Sequence, residues 1–293
     1  MSRLDNGQNA PRHYGILEIL YVSMLGKQPD PERTWTPLTV SDIHEGWFDP
    51  WIAPPNGSGG SLRQGWINIQ DPYFNRMVVG TTAFTKGTPG TPDQYTGGFI
   101  YETPITRRYL FGVVLNNLQT GPASATLRFG DITLENRFLL EETVDTTLSF
   151  NFNVRIPSGD PSIGGGRTIL NPYLALYQDL GRGFSVRLVE GAYVPVDSRP
   201  DNIEASAFTQ LGLGQTLLPH DVPLLGDFTY FLVANFQHDW KDNGVPNHTI
   251  VSLTPGFRTH LGHNFFLLAG VQLPVTSPRP FDEQVTVFVV KGF

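Results

Sequence analysis

From about residue 70 onward, apolar and polar residues alternate in segments of ten to fourteen residues. In "VDTTLSFNFNVRI" (144–156), Phe150 and Phe152 fall on one face of an extended chain, and Asn151 and Asn153 fall on the other. Period-two alternation predicts a strand with one apolar and one polar face. The segments "GDFTYFLVANFQHDW" and "ITLENRFLL" repeat the pattern.

The alternating segments predict twelve strands, an even number. The connections between them alternate in length: "KGTPGTPD" and "PSGDPSIGGG" are long, "LGRG" and "LGHN" are short, and "LPHDVPLLG" is the exception on the short side. Long loops at one end and tight turns at the other are typical of a transmembrane β-barrel. The strand lengths also suit the about 9 to 11 residues that a tilted strand needs to cross a bilayer. The predicted strands lie at 73–85, 94–104, 108–118, 124–140, 143–157, 167–179, 183–195, 203–218, 227–240, 248–260, 264–275 and 283–293.

The predicted fold is therefore all-β: an antiparallel transmembrane β-barrel of twelve strands, preceded by an irregular N-terminal extension. The extension spans residues 1–68 and is rich in proline and aromatic residues. Trp47 and Trp51 within it either lie at the membrane surface or plug the barrel, or the extension is partly disordered in isolation. The barrel spans residues 69–293. Pro172 and Pro255 fall within predicted strands, where they mark bulges or strand ends because proline cannot donate to the ladder.

Composition agrees with a barrel in a membrane. Charged residues are only 16% of the 293 residues, and aromatic residues reach 12%. The net charge of -7 and the scattered basic residues argue against nucleic acid as a partner. There is no cysteine and no apolar window long enough for a transmembrane helix. The first fifteen residues lack the apolar core of a signal peptide.

No catalytic set stands out, so we predict that the chain is not an enzyme and needs no cofactor. The seven histidines form no HExxH motif, and His260 and His263 flank a predicted tight turn, which favours a solvated turn over a metal site. His248 and Ser252 are four residues apart, which differs from the spacing in barrel phospholipases. We therefore predict neither catalytic nor metal-ligating residues.

Charged residues on the polar faces of the strands are predicted to line the lumen. They either solvate and lock the interior, the expectation for any such barrel, or line a permeation path. The lumen-lining candidates are Asp131, Glu135, Arg137, Asp145, Arg155, Arg187, Glu190 and Arg258.

Aromatic residues near the strand ends are predicted to form girdles at the membrane interfaces, with the alternative that some pack inside. This set consists of Tyr73, Phe74, Tyr101, Tyr109, Phe111, Tyr230, Phe265 and Phe266.

Several segments resemble those of bacterial outer-membrane transporter-like barrels, above all planctomycete proteins related to the meta-pathway phenol-degradation barrel family. They are "FGDITLENRFLL", "FNFNVRIPSGD" and "TPGFRTHLGHNFFLLAGVQLPVTSPRPFD", and the resemblance spans roughly residues 66–293. It implies a bacterial outer-membrane protein that moves or binds small molecules, including hydrophobic ones.

The final strand carries a second resemblance. Outer-membrane barrels resemble one another in ending on an aromatic residue that follows apolar residues at alternate positions, and here Val285, Val287 and Val289 precede Phe293. The resemblance implies an assembly signal, with the barrel-assembly machinery and outer-membrane lipid as partners.

The sequence thus predicts a porin-like or transporter-like barrel in the bacterial outer membrane, with an unidentified small-molecule solute. Two alternatives remain open: a soluble periplasmic or extracellular barrel that binds a ligand inside, and an outer-membrane barrel with a structural or adhesive role.

Overall fold

The computed structural model describes residues 15–25, 35–121, 124–160, 166–196, 203–241, 247–277 and 279–293. The long connections predicted around 119–124, 157–166, 195–202 and 241–247 each include residues outside these ranges, as does the start of the chain. Of the N-terminal part, the structure describes one α-helix, α1 (Ile16–Met24), and one short 3-10 helix (Val40–Asp42). In the described ranges, no helix is long and apolar enough to cross a membrane.

The chain is dominated by strands that run antiparallel to their neighbours. Twelve of them form a ring, because each pairs with the next around the barrel and the last pairs with the first. A short additional strand, β4, pairs antiparallel with the end of β3 and with no other strand, so it is not part of the ring. The strands are β1 (Met77–Lys86), β2 (Gln94–Pro104), β3 (Tyr109–Gly121), β4 (Ser124–Arg128), β5 (Ile132–Glu142), β6 (Thr146–Ile156), β7 (Ile169–Gly181), β8 (Phe184–Pro195), β9 (Ile203–Thr216), β10 (Gly226–Lys241), β11 (His248–Gly262), β12 (Phe265–Pro274) and β13 (Glu283–Gly292).

The predicted fold class is confirmed: the described chain forms a closed antiparallel barrel of twelve strands. The single strand predicted at 124–140 is divided into β4 and β5, with the break at residues 129–131. We call the end of the barrel with the connections 105–108, 143–145, 182–183, 217–225 and 263–264 the turn end, and the opposite end the loop end.

Both prolines lie inside strands without a shift in register, so neither marks a bulge or a strand end. Pro172 pairs with β6 on one side, and the β7–β8 ladder is interrupted beside it. Pro255 pairs with β10, and the β11–β12 ladder is interrupted in the same way. The missing N–H thus falls where no ladder bond is made. Beside Pro172, the side chain of Asn171 donates to the carbonyl of Ala192 at 2.9 Å.

The N-terminal part crosses the turn end of the barrel before it turns inward. Leu38 and Glu142 form an antiparallel bridge, with N–H···O distances of 2.9 and 2.7 Å. Further along, the N–H of Gly183 donates to the carbonyl of Gly59 at 2.7 Å. Residues 63–76, which we call the inner segment, then pack within the ring, and β1 begins directly after them.

Two apolar clusters fix the inner segment and the crossing chain against the wall. The larger joins Trp66, Ile67 and Ile69 to inward-facing residues of at least seven strands, including Phe231 and Val233 of β10. The smaller joins Leu38, Trp51 and Phe74 to Leu110 and Leu139. The hydrophobic core of this barrel therefore lies inside the lumen, around the inner segment.

Candidate channel lumen

Alternation along each strand sorts side chains between the lumen and the outer surface. On β6, Thr147, Ser149 and Asn151 are each at most 1% exposed, whereas Phe150 between them is 37% exposed. Successive side chains of a strand point to opposite faces, so the polar set of β6 faces inward and the apolar set faces outward. This is the arrangement of a barrel that presents apolar residues to lipid and polar residues to its interior.

Arg137 of β5 is the centre of a buried polar network that joins three parts of the wall to the inner segment. Its guanidinium donates to Glu102 of β2 at 3.2 Å and to Asn151 of β6 at 2.9 Å. It also donates to the backbone carbonyl of Tyr73 at 2.6 Å. Because a buried charge is stable only when it is paired and hydrogen-bonded, this network holds the inner segment in one position.

Arg187 of β8 makes a second attachment. Its guanidinium donates to Asp71 at 3.0 Å and to the backbone carbonyl of Gln64, and it lies 3.6 Å from the ring centroid of Trp66. The arginine side chain is fully buried. A cation over an aromatic face is stabilised by the ring quadrupole, so Arg187 fixes both the backbone and the side chains of the inner segment.

The inner segment also supports itself through Tyr73, whose hydroxyl donates to Asp71 at 2.9 Å. Burial raises the pKa of Tyr73 well above its ordinary value, which keeps the phenol protonated. The protonated phenol and the guanidinium of Arg187 donate to the same oxygen of Asp71. The carboxylate is thereby fixed between the segment and the wall.

Asp179, at the turn end of β7, holds the chain that precedes the inner segment. One of its carboxylate oxygens accepts from the N–H groups of Gly59 at 3.1 Å and Ser61 at 3.3 Å, and the other accepts from Gly181 at 2.6 Å. Charge-assisted bonds to backbone N–H groups are stronger than neutral ones. Asp179 therefore holds residues 59–61 against the turn end of the wall.

Between the inner segment and the wall lies a cavity of about 820 Å³. Arg258, which lines it, is 4% exposed, lies 4.1 Å from the ring centroid of Phe266, and has two guanidinium nitrogens that find no partner among the described residues. The other polar residues of the cavity wall come from many strands and include Glu102, Thr133, Glu135, Asn153, Arg155, Asn171, Gln210, Asn235, Gln237 and Gln272. The cavity is thus bordered by amides and charges of both signs, together with apolar side chains such as Ile69, Val79 and Leu268.

Six of the eight lumen-lining candidates lie on the inner side. Arg137 and Arg187 hold the inner segment, and Glu135, Arg155 and Arg258 border the cavity. Asp131 is 3% exposed and accepts from the N–H of Gly159 at 3.1 Å, which places it near the loop end.

Two candidates lie elsewhere. Glu190 of β8 is exposed on the outer face and accepts from Thr209 at 2.8 Å; it lies three positions after Arg187, so the two side chains point to opposite faces. Asp145 lies in the turn between β5 and β6, where it accepts from the N–H of Ser58 at 2.8 Å. Hydrogen bonds from Ser58 lower the pKa of Asp145, so this carboxylate anchors the crossing chain and is not part of the lumen wall.

The expected aromatic girdle is only partly present. Tyr73 and Phe74 are at most 1% exposed and belong to the inner segment, because they precede β1 and do not lie on it. At the turn end, Tyr109 stacks on Phe138 with ring centroids 5.3 Å apart, and Trp47 lies 6.4 Å from Phe138. Phe138 is on the outward face of β5, so Trp47 adds to an aromatic surface outside the barrel, while Trp51 is buried.

A plug is among the alternatives that the sequence leaves open for Trp47 and Trp51, but the sequence does not identify residues 63–76 as the inner segment, although two signals point to it. Phe231 and Val233 place apolar side chains on the polar face of β10, where they need an apolar partner. Gly212 and Gly214 on β9 leave room for the ring of Trp66: a Cβ at Gly214 would lie 2.6 Å from it.

The valines at 285, 287 and 289 share one face of β13, and Phe293, directly after this strand, is 64% exposed. The N–H of Phe293 donates to the carbonyl of Arg76 at 3.1 Å, so the last residue lies at the turn end beside the start of β1. The role of these residues as an assembly signal stays a prediction.

Comparison with known proteins gives matches among solved structures. No protein-family model and no curated protein sequence matches the chain. An outer membrane channel from Pseudomonas putida F1 matches with a TM-score of 0.58 and 14% identity, over 78% of this chain and 100% of that one. The KdgM porin (TM-score 0.50) and the NanC porin (TM-score 0.52) each match at 9% identity, over 74% of this chain and 99% of theirs. At these identities the likeness shows the fold, and the chain shares its barrel architecture with outer membrane channels and porins.

Proposed function

We propose that the protein is a porin-like channel of the bacterial outer membrane that passes small polar solutes without covalent chemistry. The observation that carries the proposal is the cavity of about 820 Å³, lined by amides and charges as well as apolar side chains, inside a closed barrel whose outer face is apolar. The likeness to an outer membrane channel and to two porins supports the same class of function.

The outer face supports a membrane location. Leu174, Leu211, Leu213 and Leu232 are between 46% and 51% exposed, and they come from β7, β9 and β10. Water-soluble monomers seldom expose contiguous apolar surface on this scale. A closed barrel leaves no unpaired edge, which is the condition for a sheet to cross lipid. These features favour outer-membrane lipid as the surrounding medium over the alternative of a soluble ligand-binding barrel.

The amides in the lining of the cavity favour polar solutes. Asn153, Asn171, Gln210, Asn235 and Gln272 offer both donors and acceptors, and they face the same space. A hydrophobic solute would remove water from these amides without replacing their hydrogen bonds, which costs free energy. Small polar molecules, by contrast, can exchange hydrogen bonds with the wall as they pass.

Fractionation and permeation together test the proposal. We expect the full chain to stay with the membrane after an alkaline wash, and liposomes that contain it to admit a small neutral sugar faster than liposomes without protein. Release into water by the wash would favour the soluble ligand-binding barrel. Stable insertion with no gain in permeability would favour a structural or adhesive barrel, and either outcome would contradict the channel.

A further inference from the structure

Two histidines and an aspartate meet at the turn end of the barrel. His220 belongs to the connection 217–225, Asp227 to the start of β10, and His260 to the end of β11. One nitrogen from each imidazole and one carboxylate oxygen all lie within 4.8 Å of one another. These residues lie outside the set that borders the cavity.

The backbone of the connection 217–225 brings the three residues together. The N–H of Asp227 donates to the carbonyl of Pro219 at 3.2 Å, and the hydroxyl of Thr259 donates to the carbonyl of Leu224 at 2.9 Å. These bonds fold the connection back onto β11. The imidazole of His220 consequently stacks on that of His260, with centroids 4.1 Å apart and an interplanar angle of 18°.

The hydrogen bonding of His260 leaves its Nε2 available to bind a ligand. It is only 7% exposed, and its Nδ1 lies 3.3 Å from the backbone carbonyl of His220. An N–H at Nδ1 that donates to this carbonyl leaves the lone pair on Nε2, and metal-binding histidines usually hold their second nitrogen in this way. Among the described residues, Nε2 has no hydrogen-bond partner. A buried polar atom without a partner is unfavourable, so the site favours a species that binds to this lone pair.

Asp227 supplies the negative charge that a cation needs. It is 4% exposed, and its Oδ2 lies 2.6 Å from Nδ1 of His220. Two ligand atoms on one tetrahedral zinc ion lie about 3.3 Å apart, so a bound metal would take the place of the shared proton and separate these atoms by less than an ångström. A metal lies in the plane of each imidazole that binds it, so the ring of His220 must also turn out of its stack on His260; its side chain is 62% exposed and has room to do so.

We propose that His220, Asp227 and His260 form a binding site for a divalent first-row transition metal, with Zn²⁺ as the best match. Two imidazoles and one carboxylate are an N/O donor set that suits zinc, copper and nickel better than calcium or magnesium. Three protein ligands leave a fourth position for water. The inference rests on these contacts and not on the channel function.

Metal binding would join the longest connection of the turn end to two strands of the wall. The site also borders the inner segment, because Nε2 of Gln64 lies 3.5 Å from Oδ2 of Asp227. A metal at this position therefore fixes the connection 217–225 beside the segment that fills the lumen.

Zinc titration of the untagged full chain in detergent, after removal of metal with a chelator, tests the site. By isothermal titration calorimetry at neutral pH we expect one Zn²⁺ per chain. His260→Ala and Asp227→Asn should each weaken binding by more than about 100-fold, because loss of a ligand costs more than the roughly 10- to 100-fold that follows loss of a residue that only orients a ligand. His238→Ala is the matched control: His238 lies on β10 at the loop end and bonds to Thr249 at 2.7 Å, so its loss should leave the zinc affinity unchanged.

A second readout separates loss of the site from loss of the fold. His220→Ala changes an exposed residue of a connection, and the shift of the folded barrel on an unheated gel reports whether the variant is intact. Intact His220→Ala should bind Zn²⁺ at least tenfold more weakly, and Co²⁺ bound to the parent chain should give the intense visible absorption of a tetrahedral site. Absence of saturable zinc binding by the parent chain, or equal affinity in the parent, His220→Ala and His260→Ala proteins, would overturn the proposal. Permeation by the parent chain would be unaffected by that failure, so the two proposals can fail separately.

Discussion

Replacing Trp66 by alanine should release the inner segment from the wall. Trp66 is 4% exposed, stacks on Phe231 with centroids 5.2 Å apart and an angle of 8°, and lies under the guanidinium of Arg187 at 3.6 Å. Truncation of a buried tryptophan costs about 3 to 5 kcal/mol. A factor of ten in an equilibrium constant corresponds to about 1.4 kcal/mol. The lower value, about 3 kcal/mol, therefore increases the population of molecules with a released segment by about 100-fold.

Hydrogen exchange in detergent measures this release at a defined amide. The N–H of Gln70 donates to Oε1 of Gln210 at 2.9 Å, so it is protected only while the segment is docked. We expect its exchange in Trp66→Ala to be faster by about 100-fold. Trp240→Ala is the matched control, because Trp240 is 42% exposed on the same strand as Phe231 but near the loop end. Unchanged exchange in Trp66→Ala, or an equal change in both variants, would refute the docking argument.

Two further predictions concern the same attachment. Gly214→Ala places a Cβ 2.6 Å from the Trp66 ring and 2.8 Å from a backbone carbonyl, so it should speed hydrogen exchange in the inner segment. In a Trp66→Ala background most of this effect should vanish. Gly80→Ala, whose Cβ meets nothing within 4 Å, should not change the exchange. Equal effects of the two glycine changes would count against the close fit. Asp179→Ala removes three backbone contacts of a carboxylate at the turn end, worth about 1.5 to 3 kcal/mol each when charged, and should expose residues 57–61 to protease. Asp93→Ala, which removes a similar contact with Gly87 in the loop 87–93, should leave that cleavage unchanged; if both variants are cleaved alike, Asp179 does not hold the turn end.

The barrel could be predicted from the sequence because its signal is local. Alternation within each strand fixes which side chains share a face, and the lengths of the connections fix which ends of neighbouring strands meet. On β6 this reasoning places Asn151 and Asn153 inside, as the structure has them. Glu190 shows where the reasoning fails: its charge suggested the lumen, but its parity relative to Arg187 places it outside.

The inner segment could not be predicted in the same way because its contacts are distant in sequence. Arg137 reaches the carbonyl of Tyr73 across 64 residues, and Arg187 reaches Asp71 across 116. The sequence of residues 63–76 has no periodicity that indicates Arg137 or Arg187 as a partner. The tight glycines of β9 and the inward Phe231 are signals only once an aromatic partner for them is known.

The cluster of His220, Asp227 and His260 also could not be predicted from the local sequence pattern. Sequence proximity paired His260 with His263, which are three residues apart across a turn. The structure instead brings His260 to His220, 40 residues away, because β10 and β11 pair and the connection 217–225 folds back over their ends. Pairing of strands therefore decides which histidines meet.

Single-channel recording in planar lipid bilayers shows whether the lumen conducts. We expect the full chain to insert and to produce discrete current steps, and Trp66→Ala to produce larger steps because its inner segment leaves more of the lumen free. Insertion of both proteins without any current would contradict the claim that the lumen of this barrel is a path for small polar solutes.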